Sequence, residues 1–81
     1  MLRLTVNTKR APVEVLREAR RFFGEGGLGL TPSQAEAGVS FEGAGGYVTV
    51  RFEPNAAGET IVDLSTREHE WAVRRFAREI A

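Results

Sequence analysis

The stretch VSFEGAGGYVTVRFEPNAAGETIVDL, Val39 to Leu64, decides the fold. Val39 and Phe41 alternate with polar neighbours, and Gly43-Ala-Gly-Gly then supplies the chain reversal of a hairpin. In the next run Val48, Val50 and Phe52 fall on one face, with Tyr47, Thr49, Arg51 and Glu53 on the other. That period of two marks a strand with one face buried. Pro54-Asn-Ala-Ala-Gly is a second turn cluster, after which Val62 and Leu64 point inward and Ile61 and Asp63 outward. Connections this short cannot carry a crossover, so these strands pair as an antiparallel meander.

At the amino terminus Leu2, Leu4 and Val6 alternate with Arg3, Thr5 and Asn7, which predicts another half-buried strand. From Pro12 the period lengthens. Val15, Leu16, Ala19, Phe22 and Phe23 form one helical stripe, Pro12 suits the first turn, and Gly24 suits the position just past the end. The spacing predicts a helix from Pro12 to Phe23. The glycine-rich link that follows leads to a short strand at Leu28 to Thr31, although Thr31-Pro-Ser-Gln also matches a helical capping box. Ser65-Thr-Arg-Glu68 matches the same box, and it predicts that the last helix opens at Ser65. His69, Ala72, Val73, Phe76 and Ile80 share one face of that helix, with Ala77 at its border.

The elements read β-α-β-β-β-(β)-α, an α+β class in which one polar face per strand leaves the sheet covered on one side only. Both helices must then lie on the other side, giving two layers. This order resembles the TATA-binding-protein-like and other helix-grip folds, in which a curved sheet wraps a terminal helix. The resemblance lies in element order over the whole chain and in no motif residue, and element order by itself carries no function. At 81 residues there is room for one domain, 1 to 81, with a thin core.

The absence of cysteine excludes disulfides, thiolate chemistry and cysteine-ligated metal centres. No apolar run approaches the roughly 20 residues of a membrane span. The alternating amino terminus is unlike a secretory signal, so a cytoplasmic location and no membrane partner are the expectation. Lys9 is the only lysine among eleven basic residues, a usage that suits a GC-rich bacterial genome. Formal charge sums to zero but is unevenly placed. Residues 1 to 21 hold six basic groups against two acidic ones, and residues 22 to 66 hold one against six. Such a bipolar chain can orient a protein partner or a second copy, but it offers no general affinity for nucleic acid.

Gly24-Glu-Gly-Gly-Leu-Gly29 matches the dinucleotide fingerprint in letters only, because it follows a helix instead of opening one. Gly43 to Gly46 lacks the lysine and helix start of a P-loop. The single histidine, His69, has Ser65, Thr66, Ala72 and Val73 at the positions where a second helical ligand would stand. A triad from Ser65, His69 and Asp63 competes with simpler roles for each: a cap, a hydrogen-bonded structural histidine and an outward strand residue. Glu68 and Glu70, two apart on a helix, do not face each other. No catalytic residue, metal or cofactor is expected.

Trp71 falls opposite the apolar face of the last helix, among Arg74, Arg75 and Arg78. A tryptophan is out of place on a merely solvated face, and tryptophan and arginine dominate protein interface hot spots. Alternatively the ring tucks against a loop or the neighbouring helix. On the sheet's open face Arg3, Thr5, Ser40, Glu42, Tyr47, Thr49, Arg51, Ile61 and Asp63 form a mixed surface with a lone aromatic, unlike the stacking platforms of RNA-binding sheets. The expectation is a non-catalytic interaction module that binds protein, itself included, through Trp71, Arg74, Arg75 and Arg78 or through a sheet edge. The alternative is a binder of a small apolar ligand in a cleft lined by Phe22, Phe23, Phe41, Phe52 and Phe76.

Overall fold

Each turn signal in the sequence becomes a connection between neighbouring antiparallel strands. The computed structural model describes residues 1–81 as β1 (Leu2–Thr8), α1 (Pro12–Phe23), β2 (Thr31–Ala35), β3 (Gly38–Gly43), β4 (Gly46–Pro54), β5 (Thr60–Arg67) and α2 (Glu70–Ile80). The five strands form one antiparallel sheet in the order β1-β5-β4-β3-β2. Leu4 pairs with Leu64, Val50 with Leu64, and Phe41 with Val48, so the apolar alternation of every central strand lands on the same face. A slip of one residue would turn that set to solvent.

The core lies between this face and the helices. Val15, Ala19 and Phe23 of α1 and Ala72, Val73, Phe76 and Ile80 of α2 are buried against Val39, Phe41, Val48, Val50, Val62 and Leu64. Phe23 stands at the centre, with ring centroids 5.0 Å from Phe76, 5.3 Å from Phe22 and 5.7 Å from Phe41. Truncating Phe23 or Phe76 to alanine would cost about 3 to 5 kcal/mol. Three threonines are buried as well. Thr8 Oγ1 donates to the Ile80 carbonyl at 2.6 Å, Thr60 Oγ1 to Arg10 at 2.9 Å and Thr66 Oγ1 to Tyr47 at 2.7 Å, so none is left unpaired.

Two boundaries differ from the sequence reading. The second strand begins at Thr31 rather than occupying Leu28 to Thr31, so Thr31-Pro-Ser-Gln is extended edge strand and not a cap. Ser65 lies inside β5, paired with both Arg3 and Thr49, and α2 starts at Glu70 behind His69. Pairing on both sides holds β5 extended through Thr66. The chain then breaks at Glu68, whose φ of 78° is incompatible with either a strand or a first helical turn. The Ser65 capping box does not form. By contrast α1 runs over the expected residues, with Pro12 at its start and the Gly24 N–H bonded to the Arg20 carbonyl at its end.

Two helices cannot cover five strands. Strands lie about 4.8 Å apart and packed helices about 8 to 10 Å apart, so each helix covers roughly two strands. Here α2 lies over β1 and β5 while α1 lies over β3 and β4. β2 is left at the margin, with Thr31 to Gln34 exposed.

Candidate interaction surface

Helix α2 is apolar on one side and charged on the other, so burying Ala72, Val73, Phe76 and Ile80 forces positions 71, 74, 75 and 78 outward. Trp71 is 65% exposed, and Arg74, Arg75 and Arg78 are exposed beside it. The ring does not tuck under a loop. All the ring-to-ring contacts of the molecule join Phe22, Phe23, Phe41 and Phe76, leaving Trp71 and Tyr47 outside.

The surroundings of Trp71 extend the surface toward the sheet. A shallow depression of about 620 Å³ is lined by Met1, Tyr47, Arg67, Glu68, Glu70 and Trp71. Met1 is 82% exposed, and its terminal ammonium lies 3.7 Å from Glu70 Oε2. The depression thus joins the first turn of α2 to the beginning of β1, an edge strand whose outer backbone groups have no strand partner. β1 carries no proline, whereas the opposite edge, β2, is blunted by Pro32.

His69 is half-buried, and its Nε2–H donates to the Gly43 carbonyl at 3.1 Å. It ties the β3–β4 hairpin to the start of α2. Ser65 and Asp63 belong to the open face of β5, where Asp63 Oδ1 accepts from Thr5 Oγ1 at 3.0 Å and Oδ2 lies 3.8 Å from Arg3. The imagined triad does not assemble: Asp63 is bonded to Thr5 on the open face of β5, while His69, at the start of α2, is bonded to Gly43. No group of three His, Asp or Glu side chains comes together as a metal site would require.

The glycine-rich loop after α1 uses its own amides. Gly27 and Gly29 donate to the Gly24 carbonyl, Leu28 to Phe22 and Leu30 to Phe23. The N–H groups a phosphate would need are spent on the end of the helix.

The five phenylalanines do not line a cleft, since Phe22, Phe23, Phe41 and Phe76 pack on one another. Phe52 is half-buried on the same sheet face. One open feature was not foreseen from the sequence. A groove of about 730 Å³ runs between α1 and β2, lined by Leu16, Leu30, Pro32 and Phe41 together with Arg17 and Arg20. Two helices under five strands imply that some strand is left bare, but which one depends on where the helices lie. No protein-family model matches the chain, and no curated protein sequence matches it.

Proposed function

We propose that the protein is a non-catalytic interaction module that docks a protein surface, in the first instance a second copy of itself, through the outer face of α2 and the adjoining edge of β1. The observation that carries this reading is Trp71, 65% exposed directly opposite a fully buried helix face and next to the exposed Met1. Tryptophan offers a large apolar area at little rotamer cost, and arginine adds stacking and bidentate hydrogen bonds. The helix face and the sheet edge, two separate candidates in the sequence, meet at the Met1 and Trp71 depression. Pairing of two β1 strands would satisfy the free edge of each copy and bring the two α2 surfaces alongside.

Tryptophan fluorescence followed over a dilution series tests the reading. Assembly should shield Trp71 from quencher and shift its emission to the blue, while the diluted monomer should be red-shifted and quenchable. If Trp71 stays equally quenchable from the most dilute to the most concentrated sample, the α2 surface is no interface.

A further inference from the structure

We propose that the groove between α1 and β2 binds a monoanionic amphiphile, an acyl chain ending in a carboxylate. The groove exists because β2 lies beyond the reach of α1, so Leu16 and Pro32 border open space there, over the buried Leu30 and Phe41, instead of a third helix. A smaller depression of about 310 Å³ shares Leu16, Arg20 and Pro32 with it and continues past Gln34 to Val39. The two together make a channel along the length of β2, suited to a chain more than to a compact ligand. The volume of the main groove is within the range of small-molecule sites.

The head group follows from charge. Arg17 and Arg20, three residues apart, stand on the same side of α1. The ion pairs of the molecule involve the amino terminus, Arg3 and Arg21, so neither Arg17 nor Arg20 has a carboxylate partner. Arg21 also borders the groove, but Glu18 at 3.3 Å compensates it. Glu25 contributes one negative charge at the same rim, leaving a net charge of one unit positive for the ligand to balance. Arg20 in the last helical turn also complements the helix dipole. Arg17, a turn earlier, has no such role. A guanidinium pair beside an apolar channel recognises a carboxylate by bidentate hydrogen bonding while the chain lies on Leu16 and Pro32. The outer face of α2 is excluded as occupant, since Arg74, Arg75 and Arg78 would meet Arg17 and Arg20 with like charge.

The site shares no residue with the Trp71 surface, so the two proposals fail or stand separately. Dodecanoate, dodecyl phosphate, dodecyltrimethylammonium and acetate, each below its micelle concentration, would be titrated into the ¹⁵N-labelled protein and read by amide shifts. Dodecanoate should move Leu16, Arg17, Arg20, Leu30 and Phe41 saturably and leave Trp71 in place. Acetate and the cationic amphiphile should move none of them. The double variant Arg17→Gln with Arg20→Gln should weaken dodecanoate about tenfold or more at unchanged melting temperature, and Arg74→Gln should not. Unaltered binding in the double variant, equal binding of the cation, shifts centred on Trp71, or no binding of dodecanoate would each overturn the site. Tighter binding of dodecyl phosphate than of dodecanoate would overturn the carboxylate assignment.

Discussion

Ser65 and His69 look alike in the sequence, two polar residues at a helix entrance, and the structure separates them by their hydrogen bonds. His69 spends its Nε2–H on the Gly43 carbonyl, so His69→Ala should destabilise the fold by about 0.5 to 1.5 kcal/mol. Any activity found in the protein should survive that change; an activity lost at constant melting temperature would contradict the non-catalytic reading. Ser65 faces the open side of β5 and caps nothing, so Ser65→Ala should stay within about 0.5 kcal/mol of the parent by chemical denaturation. A loss on the scale of a missing cap, about 1 to 2 kcal/mol, would place the helix start at Ser65 after all. The spacing S-x-x-E is too short to identify a helix by itself. The stronger signal was the alternation Val62, Leu64, Thr66, which continues β5 one inward position further because the Thr66 hydroxyl has the Tyr47 carbonyl to bond.

Among the elements, the central strands and both helices were legible because each has one buried and one solvated face, and periodicity records that contrast. β2 was misplaced for the same reason. With no helix above it neither face is buried, so Thr31-Pro-Ser-Gln-Ala carries no alternation to read. The hairpin between β3 and β4 was legible from its glycines, but its middle residue works against it. Ala44 is held at φ 52° beside Gly45 at φ 81°, the left-handed pair of a two-residue hairpin turn. A left-handed alanine costs about 1 to 2 kcal/mol. Ala44→Asn, which creates the favoured Asn-Gly turn, should therefore raise stability by about 0.5 to 1 kcal/mol in thermal or urea unfolding. A destabilised variant would mean that this turn adopts another conformation in solution. Gly38 behaves in the opposite sense, because a Cβ there would collide with the Val50 carbonyl, and Gly38→Ala should destabilise the β2–β3 end of the sheet.

At the scale of the whole molecule, one sheet face packs under two helices and the other carries hydroxyls and mixed charge. That leaves two unfinished places, the margin beside β2 and the edge at β1. The sequence disclosed the Trp71 face of α2, since a helical wheel needs no tertiary information, but that β1 is the edge beside it follows only from the strand order. The first required knowing which strands the helices cover. No helix of the chain is long and apolar enough to cross a membrane. If the Trp71 surface holds two copies together, mass in solution must rise with concentration. Light scattering across a concentration series should show the 8.9 kDa monomer giving way to a dimer. Trp71→Ala should weaken that dimer by about 2 kcal/mol or more while lowering the stability of the monomer far less than the roughly 3 to 5 kcal/mol of a core tryptophan. A monomer at every concentration, or a dimer that Trp71→Ala leaves unchanged, would contradict it.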